Sequence, residues 1–306
     1  MSTRFCIVIP TYNARPTLPA AVESALNQEF SDYSVFVSDN GSADGSSEYL
    51  SGLRHGRLSV AMHRDVLGKT ENWNRAFREA PEAEYFTMLH SDDVLYPQAL
   101  AQTDRALRRT KDASLIYGAS DMLWSDGTVN RKHRPWPLGY TANAREFRRL
   151  QALSNAVSVV GVTFSRAHFF AAQGFSPQFT FLQDVDFFER LTEYGPAAFV
   201  PAALGQYRQF PLNSRARISL FIEQCVRMQP QLENLPAWLR QPTLAAVVDV
   251  ARRELGLHSP EKLADFDEFL RKQRILDLSG KTPVWFSSLT FHRAYKAWLT
   301  VKTIFR

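Results

Sequence analysis

The sequence predicts an α/β fold with a mixed, mostly parallel, Rossmann-like sheet flanked by helices. Short apolar runs alternate with segments of helical spacing from residue 5 onward, and polar residues cluster directly after the apolar runs. Past about residue 215 only helical patterns remain. Strands that alternate with helices are typical of parallel sheets with crossover helices. We therefore expect a sheet domain followed by a C-terminal helical extension.

The alternation can be followed element by element. Predicted strands cover residues 5–9, 34–37, 58–62 and 85–89, and predicted helices cover 17–27, 44–53 and 71–80. The helices have apolar residues at the spacing of one helix face, whereas the strands are short β-rich runs. Further along we expect a long loop over 121–140, a buried strand over 157–164, and helices near 166–173 and from about 181 to 194.

The composition is that of an ordinary globular protein. Of 306 residues, 45% are hydrophobic and 22% are charged, which argues against global disorder. Cys6 and Cys225 are too few for a disulfide scaffold or a cysteine-built zinc site, and they fit a reducing compartment. The sequence shows no signal-peptide core and no run near the roughly 20 apolar residues of a spanning helix. A cytoplasmic location is therefore expected.

The net charge of +5 is concentrated in the last segment, residues 281–306. This segment has five basic and no acidic residues, and the rest of the chain is balanced at 31 basic and 31 acidic residues. A neutral body argues against a nucleic-acid partner. The segment is also aromatic and amphipathic, so it either contacts the inner face of a membrane or packs on the body as a C-terminal helix. The predicted domains are 1–215, a helical extension 216–280 and this tail.

Polar residues follow three of the predicted strands: Thr11-Tyr12-Asn13, Asp39-Asn40 and Ser91-Asp92-Asp93. Ligands of parallel sheets bind at the carboxyl ends of the strands, so we expect a binding site there. The sequence contains no Gly-x-Gly-x-x-Gly after the first strand, no P-loop, no His-Glu-x-x-His and no Gly-x-Ser-x-Gly. These absences leave no sequence support for the common dinucleotide, triphosphate or serine-hydrolase sites.

Three groups of charged residues have two interpretations each. Asp92 and Asp93 suit a hard divalent cation that shares phosphate oxygens, or they are turn and cap residues. Asp184 and Asp186 begin a predicted helix, where they cap its end or supply a general base whose pKa is raised by nearby phenylalanines. Arg208 offers its guanidinium to a phosphate, or it lies solvated or in a salt bridge.

Taken in order, these segments resemble the family 2 glycosyltransferases of the GT-A fold, over roughly residues 4 to 215. The resemblance rests on the first strand and turn (7–13), an Asp-Asp-Gly-Ser-like segment (37–46), an Asn-Trp-Asn variant (68–76), the Asp-x-Asp position (89–93), a Glu-Asp-like base segment (183–191), and Tyr207-Arg208. The resemblance implies a GT-A sheet and an inverting hexosyltransferase-type enzyme. Its donor would be a nucleotide diphosphate sugar, UDP-sugar above all.

The resemblance also implies roles for single residues. The nucleotide would be lined by Pro10, Thr11, Tyr12, Asn13, Asp39, Asn72, Ser91 and Asp92. Asp39 would accept a hydrogen bond from the base, Asp92 would bind Mn²⁺ or Mg²⁺, and Asp184 would be the catalytic base. Phosphate or acceptor contacts are assigned to Asp93, Asp186 and Arg208.

The sequence departs from the family pattern at four places. His90 stands at the first acid of Asp-x-Asp, Asn40 at the second acid of Asp-Asp, Gln183 at the Glu before the base, and Gln209-Phe210 where a His often follows Tyr-Arg. We expect an active enzyme of bacterial surface polysaccharide or lipid-linked glycan assembly, with residues 124–140 helping to form the acceptor site. The alternative is a degenerate module that binds a nucleotide sugar or a partner without turnover. A nucleotidyltransferase is disfavoured, since no Gly-rich phosphate loop follows the first strand.

Overall fold

The structure is a computed structural model that describes residues 2–124, 126–133, 141–153, 157–179 and 182–209. The chain divides into two units, Met1–Phe210 and Pro211–Arg306, and the described residues belong to the first. The predicted extension 216–280 and the tail 281–306 lie outside the described residues. The predicted domain boundary at residue 215 therefore stays a prediction.

Strands and helices alternate from residue 3 to residue 88, as predicted. The strands are β1 (Thr3–Thr11), β2 (Tyr33–Asp39), β3 (Leu58–Met62), β4 (Ala83–Met88), β5 (Val94–Leu95), β6 (Leu115–Leu123), β7 (Val129–His133), β8 (Thr141–Ala142), β9 (Thr163–Ser165) and β10 (Ala197–Arg208). The helices are α1 (Leu18–Leu26), α2 (Ser46–Gly52), α3 (Lys69–Glu79), α4 (Ala99–Arg109), α5 (Ala144–Leu153), α6 (Arg166–Ala171) and α7 (Gln183–Leu191). None of the helices described is long and apolar enough to span a bilayer.

The strands form one sheet in the order β3-β2-β1-β4-β9-β6-β10-β5, with β7 beside β6 and β8 beside β10. The pairs β3–β2, β2–β1 and β1–β4 are parallel. β9 is antiparallel to both of its neighbours, β4 and β6, so β6 runs in the direction of β4 again, and β10 is parallel to β6. Six of the described strands thus share one direction. The predicted α/β class, with a mixed and mostly parallel sheet, is confirmed.

Two hydrophobic clusters cover the two faces of the sheet. Side chains of β1 alternate between them: Cys6 and Val8 lie in the cluster with α3, α6 and α7, whereas Ile7 and Ile9 lie in the cluster with α1 and α4. A strand buried on both faces reads as a continuous apolar run, which is why this strand was predictable. Fully burying one such side chain contributes about 1.5–3 kcal/mol. The loops that follow these strands are therefore anchored by well-packed strand ends.

Two sequence predictions about local structure were wrong. The loop predicted over 121–140 contains the end of β6 and the whole of β7, joined through a turn in which Gly127 has a φ of +81°; residues 134–140 lie outside the described ones. The strand predicted over 157–164 is confined to β9, because a turn at Gly161 (φ +72°) precedes it. β10 was not predicted, and its pairing with β6 shifts register between Val200 and Gly205, which weakens its sequence pattern.

Candidate active site

The loops after β1 and β2 are joined by hydrogen bonds. Asn13, which adopts a φ of +48°, donates its backbone N–H to Ser42 Oγ (2.8 Å) and accepts at Oδ1 from the N–H of Ala43 (2.9 Å). The N–H of Arg15 donates to Asp44 Oδ2 (2.9 Å). Asn tolerates the left-handed backbone region better than most residues do. The predicted nucleotide turn is thus fixed before any ligand binds.

Asp39 closes the same edge of the sheet and is fully buried. Its Oδ1 accepts from the Ser42 hydroxyl (2.5 Å) and its Oδ2 from the Ser47 hydroxyl (2.6 Å). A carboxylate has about four acceptor positions, so a further donor can still be accommodated. Pro10 and Thr11 are buried beside it, whereas Tyr12 is 48% exposed at the rim. The role of Asp39 toward a base remains a prediction.

The loop after β4 contains a group of possible metal ligands. One ligand atom each of His90, Asp92 and Asp93 lies within 4.8 Å of the others. Asp93 Oδ1 accepts from the N–H of Arg208 (2.8 Å), and Arg208 Nε donates to the carbonyl oxygen of Asp92 (2.8 Å). Ser91 is held through its own carbonyl oxygen, which accepts from the Thr17 hydroxyl (2.9 Å). An imidazole and two carboxylates fit a divalent cation.

His90 is fixed by its surroundings. Its ring stacks on Trp73 with 4.9 Å between ring centroids and an interplanar angle of 29°, and Lys69 Nζ lies 4.8 Å from the Trp73 ring centroid. Burial opposes the charged imidazolium, but the nearby carboxylates of Asp93 and Asp92 outweigh it and raise the pKa of His90. For Asp93 the effect of burial has the opposite sign, and burial raises the pKa of its carboxyl.

Asp184 lies in the first turn of α7, as predicted. The N-cap of α7 is Leu182, and Asp184 Oδ1 accepts a hydrogen bond from the N–H of Val185 in the first turn (2.8 Å), so the helix-end and general-base interpretations of Asp184 both stay open. Burial raises the pKa of the Asp184 carboxyl, and the charges of Lys69 and His90 offset this only in part. A carboxylate whose pKa is raised is a stronger base toward an acceptor hydroxyl.

The charges of the predicted base and of the predicted metal ligands all act on the Tyr207 hydroxyl. Burial raises the pKa of Tyr207 to about 12, and the charges of Asp93, Asp92 and Asp184 act in the same direction. The hydrogen bonds of Arg208 join the end of β10 to the loop after β4. The charges of His90 in that loop and of Asp184 at the start of α7 influence each other, because His90 lowers the pKa of the Asp184 carboxyl.

Asp186 is engaged elsewhere. Its Oδ2 accepts from Arg190 Nε (2.9 Å), and Arg190 Nη2 donates to the carbonyl oxygen of Gly174 (2.7 Å). Residues two positions apart on a helix point about 200° from each other, so Asp184 and Asp186 face different sides of α7. Through Arg190, Asp186 thus links α7 to the segment after α6. The contact predicted between Asp186 and a phosphate or acceptor stays a prediction.

The Asn-Trp-Asn segment of α3 contributes more to the site than was predicted. Asn72 is 5% exposed, and its Oδ1 is buried without a hydrogen-bond partner. Asn74 Nδ2 donates to the Phe175 carbonyl oxygen (2.9 Å), and Asn74 Oδ1 accepts from the Phe175 N–H (2.8 Å). Trp73, Lys69 and Tyr207 were not predicted as site residues. The one-turn spacing of Lys69 and Trp73 was a usable signal.

The sequence has recognisable relatives. Residues 6–169, more than half of the chain, match the sequence model described as "Glycosyl transferase family 2". A chondroitin synthase of Pasteurella multocida (strain Pm70) is 25% identical over 189 residues, which cover 62% of this chain and 19% of that protein. The chain spans about a third or less of several curated relatives that it matches, for example 36% and 19% of their lengths.

Two groups of solved structures show a similar fold. The S. aureus TarS 1–349 structure in complex with UDP-GlcNAc has a TM-score of 0.59 at 14% identity and covers 85% of this chain and 74% of that chain. The mannosyltransferase PcManGT from Pyrobaculum calidifontis, in complex with GDP-Man and Mn²⁺, has a TM-score of 0.55 at 14% identity. The aligned region covers 99% of this chain and 88% of the PcManGT chain. At 14% identity this likeness shows a shared fold and nothing beyond it.

Proposed function

The chain belongs to glycosyl transferase family 2, and on this basis we propose that it is an inverting glycosyltransferase. It would move a sugar from a nucleotide diphosphate sugar to an acceptor hydroxyl. The proposal is carried by the compact His90–Asp92–Asp93 group together with Asp184, whose pKa is raised by burial and whose charge acts on Tyr207 as the charges of Asp92 and Asp93 do. A diphosphate leaving group requires charge neutralisation and an alcohol nucleophile requires a base, and this site offers both.

Asp184 is the proposed catalytic base. One of its carboxylate oxygens accepts the proton of the acceptor hydroxyl while the hydroxyl oxygen attacks the anomeric carbon. The bond from that carbon to the diphosphate breaks on the opposite side, so the anomeric configuration inverts. The positive charge of Lys69 acts on Asp184 and lowers the pKa of its carboxyl, against the effect of burial.

The proposed cofactor is a divalent cation, Mn²⁺ or Mg²⁺, with Asp92 as a ligand. When bound, such a cation neutralises the charge that develops on the leaving diphosphate. The compact group around Asp92 supports this proposal, as does the similar fold of the mannosyltransferase in complex with GDP-Man and Mn²⁺. Arg208 positions the group by binding both Asp92 and Asp93.

The proposed donor is a UDP-sugar of the hexosyl class. The similar fold of TarS in complex with UDP-GlcNAc supports it. Asp39 would accept from N3–H of uracil, and the exposed ring of Tyr12 is available at the rim of the same edge. Thr11, Asn13, Asn72 and Ser91 line this edge of the sheet in the proposed nucleotide site.

The proposed acceptor is a glycan or a lipid-linked glycan of bacterial polysaccharide assembly. The chondroitin synthase among the relatives supports a polysaccharide product. The basic, aromatic tail 281–306 is the proposed contact with a membrane surface, on its cytoplasmic side. Residues 124–140 remain the proposed wall of the acceptor site.

A degenerate binding module is the second candidate. His90 and Gln183 replace acids of the family pattern, and both polar atoms of the fully buried Gln183 side chain lack hydrogen-bond partners. Such a module would bind a nucleotide sugar without forming product. Product formation with a donor panel separates the two candidates.

The first experiment is a donor screen by thermal shift with Mn²⁺ or Mg²⁺, repeated on Asp92→Ala. A donor at 100 times its Kd stabilises the fold by about 2.7 kcal/mol, which a melting scan resolves. We expect one metal-dependent shift with one donor, lost in Asp92→Ala, followed by transfer of its sugar to an acceptor. A shift without transfer to any acceptor tested favours a degenerate module that binds the nucleotide sugar. No shift with any donor contradicts the proposed transferase and favours a degenerate module that binds a partner.

A further inference from the structure

The imidazole of His90 is arranged as metal-binding histidines are. Its Nδ1 lies 3.6 Å from Asp93 Oδ2, and its Nε2 is buried without a hydrogen-bond partner. A histidine that binds a metal generally turns one ring nitrogen toward a carboxylate and leaves the other for the metal. The sequence pattern alone indicates a lost ligand at His90, because an acid is expected at this position.

The carboxylate that faces His90 is itself fixed. Asp93 is 1% exposed, and its Oδ1 accepts from the N–H of Arg208 at the end of β10 (2.8 Å). Its other oxygen, Oδ2, has no hydrogen-bond partner. This free oxygen is the atom that faces Nδ1 of His90, at 3.6 Å. Nε2 is therefore the ring nitrogen that remains for a metal.

The orientation of the ring is set from the other side by α3. Trp73, 6% exposed, stacks on the His90 ring at 4.9 Å, and Phe175 meets Trp73 edge-on at 5.3 Å. Phe175 is in turn held by the two hydrogen bonds of Asn74. One face of the imidazole is therefore covered by Trp73, and Asp92 belongs with His90 to the same compact group of possible ligands.

We propose that His90 is a metal ligand through Nε2, together with Asp92, so that this site takes first-row transition cations such as Mn²⁺ in preference to Mg²⁺. Mg²⁺ prefers oxygen ligands and retains its waters, whereas imidazole nitrogen is a good ligand of transition cations. This inference rests on the proposed function and narrows its metal from two candidates to one. Asp93 is a positioning residue that acts through His90.

The test is the nitrogen coupling of bound Mn²⁺, measured by pulsed electron paramagnetic resonance on the full chain, with Mn²⁺ alone and with Mn²⁺ plus UDP. We expect a ¹⁴N coupling typical of a directly bound imidazole in the wild type and its loss in His90→Asp and His90→Gln. His55→Asp, a change at an exposed histidine, is the matched control and keeps the coupling. The wild-type spectrum decides the matter even where a variant fails to fold.

Competition between Mn²⁺ and Mg²⁺ gives a second readout. Loss of a residue that orients a metal ligand typically weakens metal binding by about 10–100-fold, and we expect this for Mn²⁺ in Asp93→Asn. In His90→Asp the preference for Mn²⁺ over Mg²⁺ falls by about tenfold or more, because loss of a direct ligand weakens metal binding at least as much as loss of the residue that orients it.

Bound Mn²⁺ without nitrogen coupling, or an unchanged Mn²⁺ to Mg²⁺ preference in His90→Asp, overturns the inference and leaves glycosyl transfer standing. Absence of Mn²⁺ binding under both conditions overturns the inference as well. Failure of the proposed function is a separate result, namely no sugar transfer from any donor with any cation.

Discussion

The two halves of the candidate site differ in how completely their own polar groups are paired. In the loops after β1 and β2, the carboxylate of Asp39 is bound by two serine hydroxyls and Asn13 bridges the two loops. Between residues 11 and 47, all of which the structure describes, no buried side-chain polar atom lacks a hydrogen-bond partner. In the described part of the loop after β4 and the start of α7, four buried side-chain polar atoms lack a hydrogen-bond partner: His90 Nε2, Asp93 Oδ2, and both polar atoms of Gln183.

The half formed by the loops after β1 and β2 is therefore complete by itself, whereas the half formed by the loop after β4 and the start of α7 is incomplete. A buried polar atom without a partner costs about 1–3 kcal/mol, so the second half is locally unstable in the absence of ligand. Such cost is typical of sites in which activity is favoured over stability. The first half is a rigid cradle, whereas the second is arranged for groups that the ligand and the reaction supply. Four variants or variant sets test the contrast, beginning with the one that should change activity most.

Asp184→Asn removes the proposed base from the incomplete half. Transfer should fall by about 10²–10⁴-fold, because general-base catalysis contributes about that much. Donor affinity should change by less than about twofold, measured by calorimetry beside the turnover assay. The control is Asp32→Asn, the same change at an exposed aspartate without an assigned role. Wild-type turnover in Asp184→Asn, or an equal loss in Asp32→Asn, contradicts the assignment.

Asp39→Asn breaks the complete half. The buried carboxylate accepts two short hydroxyl hydrogen bonds, and hydrogen bonds to charged groups are worth about 1.5–3 kcal/mol. The free energy of unfolding should fall by about 2 kcal/mol, or about 4–8 °C in Tm for a unit of this size. Asp92→Asn, in the other half, should stay within about 0.5 kcal/mol of the wild type. Equal melting shifts in the two variants would remove the contrast between the halves.

Gln183→Met replaces an amide that lacks partners with an apolar side chain of similar volume. Gln183 is fully buried, so the change relieves part of the cost of its polar atoms and should stabilise the fold by about 1 kcal/mol. A thermal scan without ligand measures this as a small rise in Tm. A fall in Tm would mean that the amide is paired in solution. Leu182→Met, at the neighbouring buried position, is the control for packing alone.

The pH dependence of transfer should report the environment of Asp184. Because burial raises the pKa of its carboxyl, the base is protonated and inactive at low pH, and kcat/KM should rise with pH through an inflection above the ordinary aspartate value of 3.8. Lys69→Met removes a charge that lowers this pKa, so the inflection should move to higher pH. Lys69→Arg keeps the charge and should keep the profile. An unmoved inflection in Lys69→Met would show that Lys69 does not act on the base.

Elements whose pattern is local could be predicted from the amino-acid sequence. The apolar run of β1, the helical spacing of α1 and the bounds of β3 were predicted because each depends on residues within one strand or helix. The position of Asp92 after β4, and of Asp184 in the first turn of α7, followed from the same local patterns.

Which of these residues meet is visible only in the folded chain. Asp93 and the N–H of Arg208 are 115 positions apart in the chain, and Asn74 and Phe175 are 101 apart. The insertion of the antiparallel β9 between β4 and β6 places the end of β10 in the same sheet as the end of β4. Such pairings depend on how the whole core packs, for which short-range spacing carries no signal. For this reason His90, which the sequence pattern presents as a lost acid, is recognised as a ring held between Trp73 and Asp93 only after folding.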